Sequence, residues 1–464
     1  MSDSINIQNK MALLSQQRGL FEQAKSYAYE YMDSVFDRNV YPTESALANL
    51  KAFDEPLSNE PGAPQEMLHM LHEYGSPATV TTTGGRYFGM VVGSVFPPVM
   101  AVKWLADVWD QQAALYVTSP VVGKLEAVCE KWLLDILGLP EGCVAGFVSG
   151  TSMATLCGLA AGRHELLKRQ GWDVNSKGLF GAPPFRVVVG AEAHGTVFKA
   201  LAMLGLGRDR VETAAVDNQG RIDPAQLPEL DSNTLLILQA GNVNSGSFDP
   251  LEELCTRANI AGAWVHIDGA FGLWAAASHQ KQHLTRGLEK ADSWSVDGHK
   301  TLNTPYDSGI IICKHPEALV AAMQQTGSYI IYGENRDGML YTPEMSRRGR
   351  AIELWATLKI LGKRGVEELV DGLCDRAQQF AAQMRAEGFQ ILNDVVFNQV
   401  LVTCGTPEKT AATLKSLQQS GECWCGGARW HDVPVIRVSV CSWATTSEDI
   451  NRTVAAFVKA RQYG

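Results

Sequence analysis

Apolar side chains near the N-terminus recur at the spacing of an amphipathic helix. This pattern covers residues 8–38, which carry a polar face as well. A proline-rich connector and a short predicted helix at residues 65–74 follow. Because this segment has too little apolar mass to fold alone, we expect an N-terminal helical arm, residues 1–75, that packs on a larger body or on a partner subunit.

The next 250 residues alternate between helical and β-rich patterns. Helices are predicted at residues 98–110, 121–137, 152–170 and 196–204. Short apolar runs typical of strands are found at residues 186–190, 235–239, 264–268 and 310–313. Strands without polar alternation, joined by helices, indicate a mainly parallel sheet covered on both faces, and ligands of such sheets bind outside the carboxyl ends of the strands. We therefore expect a large α/β domain over residues 76–365 that holds a binding site.

A smaller unit follows this predicted domain. A loop at about residues 326–345 leads to a predicted helix at 346–361, and a further helix begins after residue 366. Two strands, at residues 398–404 and 435–441, precede a closing helix from Ser447. This order predicts a small α+β C-terminal domain over residues 366–464.

Composition and charge exclude some classes of function for this chain. The chain has 464 residues, 45% hydrophobic and 19% charged, with a formal net charge of -10 and both signs mixed, which argues against a nucleic-acid partner. No apolar run approaches the ~18 residues of a membrane helix, and the polar N-terminus lacks a signal-peptide pattern. Ten cysteines are scattered through apolar segments and are interpreted as reduced core residues. We expect a cytoplasmic globular protein, large enough to be an enzyme, without membrane contact.

Two strand-end residues carry the most specific chemistry. The run at residues 264–268 ends on Asp268, and Lys300 follows another apolar segment. A desolvated lysine supplies an amine that attacks carbonyls, and an aspartate stabilises a pyridinium nitrogen. This pair is what pyridoxal phosphate requires. Each residue alone has an ordinary alternative: Asp268 caps a turn, and Lys300 is a solvated lysine.

Two further segments match the needs of the same cofactor. Residues 144–155 pass from an apolar run through Thr151 and Ser152 into a helix, whose free N–H groups favour a phosphate. Ordinary N-capping is the alternative for these hydroxyls. His194 follows a strand and is placed to stack on a flat ring; the alternative is a surface or capping histidine. The convergence of all four candidates at strand ends favours the cofactor site.

With these motifs in this order, the chain resembles the group II pyridoxal-phosphate-dependent decarboxylases, the family of the aromatic amino-acid, glutamate and diaminobutyrate decarboxylases. The resemblance runs from about residue 76 to the C-terminus, and its most specific part is Asp297-Gly298-His299-Lys300. It implies an aspartate-aminotransferase-like fold with a seven-stranded-type sheet, a homodimer, and decarboxylation of an L-α-amino acid to its amine. A carbon–carbon lyase resembling the phosphorylated-sphingoid-base lyases, an aldehyde-forming deaminase and a non-catalytic cofactor-binding protein are the rivals.

The resemblance also assigns roles to residues. It implies that Lys300 forms the Schiff base, that Asp268 pairs with the pyridinium nitrogen, and that His194 stacks on the ring with Ala270 against the other face. The remaining cofactor residues that it implies are Thr151 and Ser152 at the phosphate, His299 before the lysine, and Asp297, where the family has Asn or Asp.

A loop tyrosine bears on the reaction type. Residues 326–330 resemble the family's loop segment that carries a catalytic tyrosine, which makes Tyr329 the expected proton donor to Cα, with Tyr332 as the alternative alignment. A tyrosine packed under a lid is the structural alternative. Relatives that form aldehydes tend to lack this tyrosine, so its presence favours the amine product.

The segment that follows Gly84-Gly85-Arg86 departs from the aromatic amino-acid members. Tyr87-Phe88-Gly89 is followed by small residues, which favours a small aliphatic or acidic substrate. Arg86 is either a surface arginine or a cation that meets a distal acidic group of the substrate. Cys423, Cys425 and His431 lack a fourth ligand and zinc spacing, so no metal site is expected.

Overall fold

A computed structural model of the chain describes residues 6–324 and 333–463. The α-helices of this part are α1 (Ile7–Ser15), α2 (Arg18–Ser34), α3 (Glu44–Asn49), α4 (Pro64–Met70), α5 (Pro97–Trp109), α6 (Pro120–Leu137), α7 (Thr151–Arg169), α8 (Val174–Lys177), α9 (Gly195–Met203), α10 (Leu251–Ala261), α11 (Pro316–Met323), α12 (Ala351–Ala386), α13 (Pro407–Ser420) and α14 (Ser447–Tyr463).

The strands are β1 (Val144–Val148), β2 (Arg186–Gly190), β3 (Glu212–Ala214), β4 (Thr234–Gln239), β5 (Trp264–Asp268), β6 (Ser293–Asp297), β7 (Gly309–Cys313), β8 (Gln390–Ile391), β9 (Gln399–Thr403), β10 (Gly426–Trp430) and β11 (Val433–Ser439). Strands β1 to β7 form one sheet, and β8 to β11 form a second one.

The large sheet has the order β1-β7-β6-β5-β4-β2-β3. Strand β7 pairs antiparallel with both of its neighbours, and the pairs from β6 to β3 are parallel. Every residue of β4, β5, β6 and β7 is buried, because helices cover both faces. One face packs against α7, α9 and α11, and the other against α6, α10 and α12. The predicted mainly parallel, seven-stranded sheet is confirmed.

Helix α7 lies unusually close to this sheet. A Cβ atom at Gly158 would come within 2.6 Å of the His266 ring, and one at Gly162 would come within 3.0 Å of the Trp264 ring. Contacts under 3.0 Å do not occur for real Cβ atoms, so Gly158 is required where the helix crosses β5. The N-terminus of α7 is thereby held at the ends of β5 and β6.

The second sheet has the order β10-β11-β9-β8 and is antiparallel throughout. Its core is shared with α12, α13 and α14. Two helices were expected at the start of this region, and Gly362, whose backbone is non-helical at φ 60°, divides α12 into two helical segments at about the expected place. The helix also begins five residues later than predicted, at the end of a cluster of arginines.

The helices of the N-terminal segment differ from their prediction, since the expected connector contains α3. The helix expected over residues 8–38 is divided into α1 and α2, because Gln17 has non-helical dihedral angles of φ -82° and ψ 85°. Neither helix contains a fully buried residue. Across residues 6–324 and 333–463, no helix combines the length and the apolar character that a membrane crossing requires.

His266 is a polar residue in the centre of the large sheet. It is fully buried on β5, its Nδ1 lies 2.8 Å from Ser293 Oγ, and its Nε2 lies 3.4 Å from Ser295 Oγ. Burial lowers the pKa of His266 to about 3. The folded protein therefore holds this imidazole neutral at pH values where the unfolded chain protonates it.

We expect His266 to make folding sensitive to acid. Its pKa is lower in the folded state, so its contribution to the free energy of unfolding is complete above about pH 6.5 and decreases as the pH falls toward 3. The decrease is about 1.4 kcal/mol per pH unit. In urea unfolding at pH 6.5 and 4.5, the stability advantage of the wild type over His266→Gln should shrink by about 2 kcal/mol. The exposed His283 is the matched control. An advantage that is the same at both pH values would contradict the assignment.

Candidate active site

A cavity of about 360 Å³ lies where the carboxyl ends of β5 and β6 meet the N-terminus of α7. This is the edge at which ligands of parallel sheets bind. The structure brings all eight predicted cofactor residues to its wall: Thr151, Ser152, His194, Asp268, Ala270, Asp297, His299 and Lys300.

Asp268 is the buried acid of the cavity. It is the last residue of β5 and is 5% exposed. Its Oδ1 accepts a hydrogen bond from the Ala270 N–H at 3.2 Å, so the turn expected after this residue is present. Burial raises the pKa of Asp268, and the nearby His194 and Lys300 oppose that rise. A cation in the cavity would stabilise this carboxylate.

His194 both caps a helix and lines the cavity. Its Nδ1 accepts a hydrogen bond from the Thr196 N–H at 3.3 Å and lies 2.7 Å from Thr196 Oγ1. The proton of the neutral ring is therefore on Nε2. Burial lowers the pKa of His194; Lys300 and Arg437 lower it further, and Asp268 opposes the shift. His194 therefore caps α9, as one of the two interpretations expected, and it also lines the cavity, while its stacking on a ring stays a prediction.

Lys300 is held by an ion pair with Asp297. The Lys300 Nζ lies 3.2 Å from Asp297 Oδ2. Asp297 in turn accepts hydrogen bonds from the backbone N–H of Thr151, at 2.7 Å, and from the Thr151 hydroxyl. These contacts join the end of β6 to the first residue of α7.

His299 lies beneath a second aromatic ring. Its Nδ1 accepts a hydrogen bond from the Ser308 N–H at 3.0 Å, and Tyr306 stacks on it with the ring centroids 4.3 Å apart. Burial lowers the pKa of His299, with Asp297 opposing the shift. Gly150 makes room for this histidine, because a Cβ there would lie 3.3 Å from His299 Cε1.

Several residues of the cavity were not expected from the sequence. They are Gln239, Gly241, Val243 and Phe271. Gln239 is the last residue of β4, so the strand-end rule that identified Asp268 could have found it as well. The other residues lie in loops, and local sequence patterns do not predict where a loop lies in the fold.

Arg437 is a further residue whose position the sequence did not reveal, since the segment around it was noted only as a strand. It is on β11, and its Nη1 donates a hydrogen bond to the carbonyl of Val243 at 3.3 Å. Its buried Nε has no hydrogen-bond partner among residues 6–324 and 333–463. Burial lowers the pKa of Arg437, and Tyr87 is near enough to oppose the shift. An anion beside the cavity would satisfy this guanidinium.

Arg86 is outside the cavity, so both expectations for it are wrong. It is 4% exposed, and its Nη1 lies 3.0 Å from Glu422 Oε1 while its Nε lies 3.7 Å from Asp449 Oδ1. Its Nη2 donates to the carbonyls of Phe36 and Arg38. Arg86 is therefore a buried residue that links the N-terminal helical arm to the C-terminal elements through hydrogen bonds and ion pairs. The expected loop tyrosines, at positions 329 and 332, lie outside the described residues.

The donor set fits pyridoxal phosphate. Hydroxyl and N–H donors at the start of α7 suit a phosphate, Asp268 suits a protonated ring nitrogen, and Lys300 supplies an amine. Gly309 allows the backbone before α7 to pack directly on β7, because a Cβ at position 309 would lie 2.3 Å from Gly150 Cα.

Comparison with known proteins agrees with this chemistry. The family model described as "Pyridoxal-dependent decarboxylase conserved domain" matches residues 51–403. An aromatic-L-amino-acid decarboxylase of Bacillus atrophaeus is 23% identical over 467 residues, which cover 96% of this chain and 95% of the relative. An aspartate 1-decarboxylase of Aliivibrio fischeri is 30% identical over 277 residues, which cover 56% of this chain and 50% of the relative.

The fold is similar to solved structures along nearly its whole length. The crystal structure of Oryza sativa TDC with PLP and tryptamine matches with a TM-score of 0.88 at 19% identity, and covers 96% of this chain and 97% of that chain. The expected aspartate-aminotransferase-like fold is thereby confirmed.

We expect Arg86 to be required for stability but not for substrate binding. Arg86→Met leaves two carboxylates and three carbonyl groups without their cation, which should lower the free energy of unfolding by about 3 kcal/mol. Urea denaturation measures this loss. The control is Arg452→Met, because Arg452 pairs with the same Glu422 at a position that is 40% exposed, and about 1 kcal/mol or less should be lost. A rise of KM in folded Arg86→Met with unchanged stability would contradict the structural role.

Proposed function

The chain belongs to the pyridoxal-dependent decarboxylase family, and on that premise we propose that Lys300, Asp268 and His194 are the residues with which it decarboxylates an L-α-amino acid to the amine. It is a pyridoxal-phosphate-dependent amino-acid decarboxylase. The observation that carries the assignment of residues is their convergence on one cavity from β5, from the loop after β6 and from the start of α9.

Each residue has a distinct task in this proposal. When bound, pyridoxal phosphate supplies an aldehyde and a ring that withdraws electrons from the bond to the departing carboxylate. Lys300 contributes the amine that holds the aldehyde. Asp268, buried at the end of β5, would keep the proton on the ring nitrogen, and its own carboxylate would be stabilised in return. His194, whose pKa is lowered by burial and whose ring is fixed through Thr196, would lie flat against the cofactor ring.

The remaining walls of the cavity position the cofactor. Thr151 and Ser152 would hold the phosphate at the start of α7, where the partial positive charge of the helix favours an anion. Ala270 would lie against the ring face opposite His194, while Asp297 and His299 fix the segment that carries Lys300. Tyr329 remains the proposed donor of the proton to Cα, with Tyr332 as its alternative.

We further propose that the substrate has an acidic side chain. Arg437 is a buried cation whose Nε lacks a hydrogen-bond partner in the described part of the chain, and it is near His194. A decarboxylase gains nothing from binding the departing carboxylate tightly, because that stabilises the ground state. A second carboxylate on the substrate side chain is the better partner for Arg437. The similarity to an aspartate 1-decarboxylase supports the same class.

We also propose a cytoplasmic homodimer. Large apolar side chains are exposed on neighbouring helices: Phe21 and Tyr29 on α2, and Trp104, Leu105, Val108 and Trp109 on α5. An apolar groove of about 450 Å³ lies between these helices. A second copy of the chain would bury these exposed apolar side chains. The ten free cysteines support a reducing compartment.

The reaction is tested by measuring both products. The purified enzyme with pyridoxal phosphate should release CO₂ and the matching amine in equal amounts from an acidic L-amino acid. Lys300→Ala should lower kcat by about three orders of magnitude or more, because the cofactor then has no amine to hold it. The exposed Lys168 is the control, and Lys168→Ala should leave kcat unchanged. Release of aldehyde and ammonia in place of the amine would overturn the decarboxylase assignment in favour of a deaminase.

The substrate class is tested at Arg437. Arg437→Met removes the charge at similar length and should raise KM for acidic amino acids about a hundredfold, since a buried charge pair is lost. Arg437→Lys should recover part of that loss. The ratio of kcat/KM for acidic over uncharged amino acids is the quantity to measure. A ratio that is the same in Arg437→Met and wild type would contradict an acidic substrate.

A further inference from the structure

Asn303 is a buried asparagine three residues beyond Lys300. It is 0% exposed, and it does not itself line the cavity. Its backbone has a φ of 56°, in the left-handed region that asparagine tolerates better than most residues. Its N–H donates a hydrogen bond to the Lys300 carbonyl at 3.0 Å, which closes a turn over residues 300–303, the lysine turn. The backbone conformation of Asn303 therefore acts directly on Lys300.

The side chain of Asn303 joins the lysine turn to two distant parts of the chain. Its Oδ1 accepts hydrogen bonds from the Ser94 N–H and the Trp443 N–H, both at 2.9 Å. Its Nδ2 donates toward three carbonyl oxygens, those of Thr301 at 2.8 Å, Cys441 at 2.9 Å and Lys300 at 3.2 Å. Because an amide group has two donor hydrogens and two acceptor lone pairs, all four are used here.

The segment around Gly93 packs directly on the lysine turn. The Gly93 N–H donates a hydrogen bond to the His299 carbonyl at 3.1 Å. A Cβ at this glycine would lie 2.1 Å from the Lys300 carbonyl oxygen, closer than real Cβ atoms approach. Val91, two residues earlier, lines the cavity. The lysine turn is therefore held by a segment of the cavity wall and, through Asn303, by the segment that follows β11.

We propose that Asn303 is a positioning residue, which fixes the backbone of Lys300 so that its amine reaches the cofactor aldehyde. The inference rests on the proposed role of Lys300. A lysine amine is at the end of a long flexible stem, so its direction depends on a fixed backbone at its base. Without the Asn303 side chain, the lysine turn loses its hydrogen bonds to Ser94 and Trp443. The bond to the aldehyde then becomes weaker, because the lysine must first be ordered.

Two ligands separate the position of the lysine from the stability of the fold. Pyridoxal phosphate has the aldehyde that Lys300 would hold, whereas pyridoxamine phosphate has the same ring and phosphate without an aldehyde. The ratio of their dissociation constants, measured in the full-length protein freed of cofactor, therefore reports the bond to the lysine. Asn303→Gly removes the side chain and keeps the left-handed backbone. We expect it to weaken binding of pyridoxal phosphate about tenfold and to leave binding of pyridoxamine phosphate unchanged.

Asn398→Ala is the matched control. Asn398 is also fully buried, and its Nδ2 donates to the Val440 carbonyl at 3.0 Å, so this variant loses a buried amide away from the lysine turn. Both variants should unfold at lower urea concentrations, but the ratio should change in Asn303→Gly alone. If Asn303→Gly does not fold, Asn303→Asp replaces it. The aspartate keeps an oxygen for the Ser94 and Trp443 N–H groups, loses the amide donors, and should also lower the preference for pyridoxal phosphate.

Three results would overturn the proposal. An unchanged ratio in the folded Asn303 variant would make this residue a structural one only. Equal weakening of both ligands would mean that the whole cavity had changed, and not the lysine alone. If the wild type itself binds both ligands equally tightly, the proposed role of Lys300 fails and the inference fails with it, which is a separate result from the first two.

Discussion

The site depends on the close approach of α7 to the large sheet. Gly158 allows the helix to cross β5 without a side chain between them, and Gly309 does the same for the loop before α7. Because of this approach, the helix N-terminus, the end of β5 and the end of β6 lie at one edge of the sheet. A larger side chain at either glycine would move the donors of α7 away from Asp268 and Lys300.

The close approach of α7 to the sheet also places charged side chains in a buried part of the protein. Asp268 and Asp297 are both buried, and Lys300 is the cation beside them. Burial raises the pKa of Asp268 and keeps His194 and His299 neutral. A ligand with a protonated ring nitrogen would stabilise the carboxylate of Asp268, and Lys300 balances the charge of Asp297. The cavity therefore suits pyridoxal phosphate.

The sequence allowed much of this arrangement to be predicted, because the large sheet is built from local apolar runs. The strands at residues 186–190 and 264–268 were predicted at the bounds that the structure has, and Asp268 and Lys300 followed from the strand-end rule. The antiparallel direction of β7 could not be predicted, since an apolar run has no direction. Arg86 and Arg437 are buried by contacts with residues far away in the chain, which no local pattern contains. The roles of the site residues remain predictions.

The central claim is that Lys300 holds the cofactor, and peptide mapping after chemical reduction tests it directly. Borohydride treatment of the cofactor-loaded enzyme converts the bond between lysine and cofactor into a stable one, and mass spectrometry of the digested protein then locates it. The account predicts the added mass of the reduced cofactor on the peptide that contains Lys300. The same mass on a peptide with any other lysine, or on none, would contradict it.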